Sequence, residues 1–125
     1  IYGIGTDIVS IKRIKSSLKK KLFIKRIFNE QEVIKCKKVT TQYNCYAKRF
    51  AAKEAFSKAL GTGIANGINC NEITVLNNKS GKPYIKLKGE TKKKIIKIFK
   101  QKKTKISLSL SDERDYAVAF VTISV

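Results

Sequence analysis

Histidine is absent from the 125-residue chain, as are methionine and tryptophan. Without histidine there is no His-based catalytic triad, and the commonest zinc ligand is missing. There are three cysteines, Cys36, Cys45 and Cys70, with no C-x-x-C spacing between them. An odd, unclustered set reads as reduced thiols and not as a disulfide framework or a metal clip. Aromatics are 9% of the residues, and no RNP-like aromatic motif occurs. This counts against single-stranded nucleic-acid binding by base stacking. No apolar run approaches the roughly 20 residues of a membrane span, and no glycine cluster fits a Walker or Rossmann fingerprint. Acidic residues are scarce too, at 9 against 28 lysines and arginines.

That imbalance leaves a formal charge of +19 and a pI near 10.0. Such a field draws polyanions: nucleic acid, an acidic protein, an anionic membrane or a phosphorylated cofactor. All but four of the basic residues are lysines, the exceptions being Arg13, Arg26, Arg49 and Arg114. Hydrophobic residues make up 42% of the chain, enough for one small core in a single domain spanning residues 1–125. A core of that size gains from oligomerisation.

The richest segment runs from Lys48 to Gly63. Projected at about 100° per residue, Ala51, Ala52, Ala55, Phe56, Ala59 and Leu60 share one half of a helical cylinder. Lys53, Glu54, Ser57 and Lys58 share the other, with Arg49 near the edge and Phe50 the one apolar intruder. Gly61 is the stop signal. An alanine face invites close approach of whatever packs there. The polar face holds one carboxylate among cations, which favour its ionised form. That set suits a polyphosphate with a metal ion, the cations taking phosphate oxygens and the carboxylate the metal. A plain solvated face with Glu54 and Lys58 as an i,i+4 pair accounts for the same pattern.

Around this helix the chain alternates element types. Ile1 to Ile11 reads as a strand with Gly3 and Gly5 inside it. A basic helix is expected from Lys12 to Lys21. Asn29 followed by Glu32 marks the start of another, running to Lys38. The main helix begins near Gln42, and loops follow at Gly61-Thr62-Gly63 and Asn66-Gly67. Glu72 to Leu76 and Tyr84 to Leu87 form a hairpin across the turn from Asn77 to Pro83. Thr91 to Phe99 is a short basic amphipathic helix. Ile106 to Leu110 and Tyr116 to Val125 are the last strands, joined by residues 111–115. The class is α+β, an antiparallel sheet packed on a long central helix.

Three further features stand out. Asp7 sits inside an apolar strand, where a carboxylate needs a cation, a metal or backbone donors, or else caps the strand end. Arg13 and the Lys19-Lys20-Lys21 cluster lie on a basic surface, either merely solvated or a dock for an acidic partner. Ser107, Ser109 and Ser111 alternate with Leu108 and Leu110, which gives a half-exposed strand or a ligand-bonding wall.

Together these motifs resemble the holo-acyl-carrier-protein synthases, the short single-domain phosphopantetheinyl transferases. Tyr2-Gly3-Ile4-Gly5-Thr6-Asp7-Ile8-Val9 with Lys12-Arg13-Ile14 fits the family's first motif. Arg49-Phe50-Ala51-Ala52-Lys53-Glu54-Ala55, Lys58-Ala59 and Gly61-Thr62-Gly63 fit its central one. Asn77 and Gly81-Lys82-Pro83 fit its hairpin, and Ser107-Leu108-Ser109 with Tyr116-Ala117-Val118-Ala119 its last strands. The resemblance implies transfer of the phosphopantetheine arm of coenzyme A to a serine of apo-acyl carrier protein, with release of adenosine 3′,5′-bisphosphate, as a step of fatty acid biosynthesis. It implies Mg²⁺ held by Asp7 and Glu54 and pyrophosphate charge stabilised by Lys58. The serine is deprotonated through a water or a carboxylate. Arg49, Lys53, Gly61, Gly63, Pro83 and Ser109 become cofactor-binding candidates. Arg13, Lys20 and Arg26 become carrier-docking candidates. It further implies a homotrimer with sites at subunit interfaces, and neither a nucleic-acid nor a membrane partner. The implied location is the cytoplasm, or a plastid-like stroma if a leader was removed. Where many members carry histidine after the serine strand, this chain has Asp112, which cannot mimic a cationic imidazole.

Overall fold

A computed structural model describes residues 1–64, 67–100 and 103–125. In chain order the elements are β1 (Gly3–Ser10), α1 (Ile11–Ser17), α2 (Lys21–Ile27), α3 (Glu30–Lys37) and α4 (Gln42–Leu60). A 3-10 turn at Cys70–Glu72 leads into β2 (Ile73–Asn77) and β3 (Pro83–Leu87), followed by α5 (Gly89–Ile98), β4 (Lys105–Asp112) and β5 (Tyr116–Ser124). One antiparallel sheet has the order β1-β5-β4, and β2 and β3 form a separate hairpin. The class is therefore α+β, as the alternating pattern implies.

The sheet lies against α4, and the alanine face is why it can. Gly3 and Gly5 on β1 meet the helix so closely that a Cβ on either would run into the carbonyl oxygen of Ala59 or Ala55. Ala51, Ala55 and Ala59 are buried there with Ala119, Val121 and Ile123 of β5. A second core holds Ile11, Ile14, Phe28, Tyr46 and Ala47, packing α1 and the α2–α3 turn on the same helix. Gly61, at φ 84°, takes the left-handed cap that ends α4, and its N–H donates to the Lys58 carbonyl at 3.0 Å.

Three expectations need correction. The basic helix expected from Lys12 to Lys21 is two helices, since the chain turns out of α1 after Ser17 and re-enters at Lys21. Ile11 and Ile14 bury the first, and Phe23 and Ile27 anchor the second in the same core. The polar half of α4 is not a solvated face, because α3 and the turn before β2 cover most of it. Lys53 is 0% exposed and Ser57 1%. Finally, the three cysteines are not all thiols: Cys36 of α3 and Cys45 of α4 form a disulfide, and Cys70 alone is free. The 9-residue separation hides that proximity in the sequence, because a tight α3–α4 connection folds the two sites back to a Cα–Cα distance of 5.4 Å. The Asn66 part of the expected loop lies outside the described residues.

Candidate active site

β1 and α4 bring Asp7, Glu54 and Lys58 together. Asp7 faces the helix side of the sheet opposite Ala119, in the register that buries Gly5. Its Oδ1 accepts from Lys58 Nζ at 3.1 Å, and the same ammonium donates to the Thr6 carbonyl at 3.0 Å. One helical turn before Lys58, Glu54 is half-buried. Burial raises its carboxyl pKa above the ordinary value, Asp7 raises it further, and Lys58 opposes both. The sequence leaves this carboxylate fully stabilised by cations. The fold instead sets a second carboxylate beside it and carries Lys53 and Arg49 to the far side of the helix.

Asp7 and Glu54 open on a cleft of about 230 Å³ whose walls include Ser10, Arg13, Phe23 and Phe50. Phe50, the apolar intruder, stacks on Phe23 with ring centroids 6.0 Å apart. Phe23, Ser10 and Ser17 were not singled out from sequence. The one available signal was Phe50 itself, an aromatic on a polar face that needs a partner from another element. Ser10 also caps α1, accepting from the Arg13 N–H at 3.3 Å, which fixes Arg13 at the cleft rim.

Lys53 is not at a cofactor surface. Its ammonium donates to Glu32 Oε1 at 2.6 Å, to the Cys70 carbonyl at 2.8 Å and to the Ile27 carbonyl, all in the interior. Glu32 closes the cap that the Asn29 signature announces, accepting from the Asn29 N–H at 3.2 Å, and also accepts from the Val75 N–H at 3.0 Å. This buried pair ties α3, α4 and β2 together. Burial pulls the Lys53 pKa down, and Glu32 opposes the shift.

Arg49 points away from the two acids. Its guanidinium donates to the Cys45 carbonyl and sulfur at 3.3 and 3.2 Å and to Asn77 Oδ1 at 3.2 Å. All three acceptors are neutral groups, and Nε has no hydrogen-bond partner among the described residues. It is 4% exposed. Burial lowers the Arg49 pKa, and the charge of the Glu32 carboxylate opposes that shift. Pro83 pairs with Asn77 at the hairpin end, and Ser109 lies exposed on the outer sheet face opposite Phe120. The Gly63 N–H donates to the Ser57 carbonyl at 3.2 Å, so neither it nor the Gly61 amide is open to a phosphate. Lys20, the cap of α2, and Arg26 within it are exposed, and neither lines the cleft that holds Arg13. Asp112 is ion-paired with Lys48 at 3.3 Å and accepts from Asn44 at 2.7 Å. It fastens the β4 end to α4.

A buried-glycine strand, an alanine helix and a shared carboxylate pair are the arrangement that the sequence motifs call for, and the comparisons agree. The family model described as the 4′-phosphopantetheinyl transferase superfamily matches residues 3–121. The chain belongs to that family. It is 49% identical over 123 residues to the holo-[acyl-carrier-protein] synthase of Pelagibacter ubique, covering 98% of this chain and 96% of that protein. The crystal structure of the Neisseria meningitidis holo-[acyl-carrier-protein] synthase superposes with a TM-score of 0.88 at 40% identity, covering 100% and 99% of the two chains. The Helicobacter pylori enzyme, solved in complex with coenzyme A, gives 0.81 at 33% identity, covering 97% and 99%.

Proposed function

We propose that this phosphopantetheinyl transferase moves the 4′-phosphopantetheine arm of coenzyme A onto a serine of an acidic apo-acyl carrier protein, releasing adenosine 3′,5′-bisphosphate. The observation that carries this is the convergence of Asp7, Glu54 and Lys58 beside a cleft rimmed by Arg13. The coenzyme A complex of the Helicobacter relative supplies the donor's identity.

The residues fit Mg²⁺. Among the described residues no cluster of three or more acidic, histidine or cysteine ligands exists. Two neighbouring carboxylates, Asp7 raising the proton affinity of Glu54, are a partial cage, which leaves the rest of the shell to phosphate oxygens and water, the manner in which Mg²⁺ prefers to bind. When bound, the ion would neutralise charge on the pyrophosphate. Lys58 then offers its ammonium to a phosphoryl oxygen in place of the Thr6 carbonyl. Phe23 and Phe50 shield the cleft from water, and Arg13 orients an acidic carrier at its rim.

Arg49, Pro83 and Ser109 lie away from this cleft within one chain. A trimer in which each site combines Asp7 and Glu54 with groups from a neighbour reconciles them with a cofactor role. The outer face of the β1-β5-β4 sheet supports it, because Ile4, Ile8, Val118 and Phe120 are exposed there at 36–64%. The closely similar relatives are bacterial, which favours the cytoplasm over a plastid stroma. No described helix is long and apolar enough to cross a membrane.

The test is incubation with coenzyme A, Mg²⁺ and an apo carrier protein, read by the mass of the carrier. The wild type adds the arm, and a chelator stops it. Glu54→Gln, which keeps shape and loses charge, should reduce transfer by at least about 100-fold with an unchanged melting curve. Full activity in that variant would overturn the metal-site assignment.

A further inference from the structure

The Cys36–Cys45 pair is the feature that the transfer reaction leaves unused. It joins α3 to α4 beneath Arg49, whose Nη1 lies 3.2 Å from Cys45 Sγ. We propose that Cys36 and Cys45 are a thiol–disulfide site, oxidised by small-molecule disulfides of the glutathione type, whose state sets how freely Arg49 can take a coenzyme A phosphate. The proposal rests on the reading of Arg49 as a cofactor ligand.

The chemistry follows from the surroundings of the two sulfurs. Cys45 is 7% exposed and Cys36 0%, so an incoming disulfide reaches Cys45 first. A guanidinium at hydrogen-bond distance stabilises a thiolate, the attacking species. The Cys45 thiolate attacks one sulfur of the small disulfide, forming a mixed disulfide and expelling one small thiolate. The Cys36 thiolate then attacks the Cys45 sulfur, forming the bond between the two and expelling the second. Two protein thiols and one small disulfide become one protein disulfide and two small thiols. The protein sulfurs lose two electrons, and their two protons go to the departing thiolates. Cys70 is set apart from this chemistry: it is not bonded to another cysteine, and desolvation pushes its thiol up to about 11.

Coupling to the cofactor runs through charge. In the reduced chain a thiolate at Cys45, 3.2 Å from the Arg49 Nη1, would compete with a phosphate for the guanidinium. In the disulfide that sulfur is a neutral, weak acceptor. The remaining contacts of Arg49 are then the neutral Cys45 carbonyl and Asn77. The bond also clamps the helix bearing Cys36 to the one bearing Arg49 across the exposed connector 38–41. Oxidation thus favours the phosphate-accepting arrangement, and reduction opposes it.

The test equilibrates the full chain in glutathione buffers of graded ratio, then measures intact mass, accessible thiols and the KM for coenzyme A at each ratio. The expected result is loss of two hydrogen atoms in the oxidising buffers, one residual buried thiol, and a KM for coenzyme A about fivefold lower than in the reduced chain. The kcat is expected to change little. Cys36→Ser should form no intramolecular bond, its Cys45 stopping at the mixed disulfide in oxidising buffers, and Cys45→Ala with a matched melting curve, which removes the competing sulfur, should give one KM in every buffer, close to that of the oxidised chain. Absence of the intramolecular bond in the most oxidising buffer overturns the proposal. So does a formed bond with equal KM in both states. An Arg49→Ala chain with wild-type affinity for coenzyme A would instead overturn the phosphate role of Arg49, whichever way the thiol titration falls.

Discussion

At the scale of single residues, neighbours along one helix have divided roles. Lys53 and Glu54 are adjacent, yet one is sealed in the interior and the other lines the cleft. Breaking a buried pair by removing one partner strands a charge, at a typical cost of about 3–5 kcal/mol. Lys53→Met should therefore lose that order of stability in urea, with the slope of the transition unchanged, and lose activity only in proportion to unfolding. Arg13→Glu should behave oppositely. A rim charge acts on encounter with a charged partner, so carrier association should slow and become less salt-sensitive in stopped-flow mixing, with coenzyme A affinity unchanged. Equal losses for both ligands would point to a folding defect. Asp7 and Glu54 were legible in the sequence because an acid in an apolar strand and an acid among lysines both ask for a cation. The partner of Lys53 was not, because Glu32 reads fully as a helix cap. Only the fold shows that its carboxylate caps a helix and pairs with Lys53 together.

At the scale of elements, α5 is tied down by one surface carboxylate. Glu72 accepts from the Asn69 amide at 2.9 Å, from the Thr91 hydroxyl at 2.7 Å, and from the Glu90 and Thr91 N–H groups at 3.1 Å each. These hydrogen bonds, Asn69's first, hold its pKa below the ordinary carboxylate value. A depressed folded-state pKa adds stability that is fully present above the unfolded value and disappears as pH falls through the folded one. The protection of α5 amides, measured relative to their intrinsic exchange rates, should therefore fall on acidification below the ordinary glutamate range. Glu72→Gln should remove most of that pH dependence while raising exchange at neutral pH. The extent of α4 and the hairpin could be read from Gly61 and the Asn77–Pro83 turn, since both signals are local. The break between α1 and α2 could not be read. Lys19, Lys20 and Lys21 continue a basic helical pattern, and it is burial of Phe23 and Ile27 in the second core that turns the chain.

At the scale of the whole molecule, an exposed apolar sheet face opposes a large like charge. Self-association through this face would bury Ile4, Ile8, Val118 and Phe120 but bring chains of +19 together. The proposed trimer should therefore tighten with added salt, and more so with coenzyme A and Mg²⁺. A ligand held only by the assembled form stabilises it by about 2.7 kcal/mol at a hundredfold excess over its dissociation constant. Sedimentation equilibrium at micromolar concentration would show this, and Phe120→Asp should shift the population to monomer and lower transfer with it. A fully active monomer would refute the shared site but not the transferase assignment.

The pairing of β1 with β5 carries a consequence for how the protein is born. The strand that carries Asp7 leaves the ribosome ahead of its one strand partner among the described residues, Tyr116–Ser124, which follows more than a hundred residues later. At about 5–20 residues per second the first strand waits roughly 5–20 s with both backbone edges bare. During that interval α4 can form and offer its alanine face, but Asp7 has no sheet to sit in. Catalytic competence therefore comes last, and in one step, when the final strand slides between β1 and β4. A chain stalled before residue 116 would hold nearly every motif of the enzyme and none of its active site.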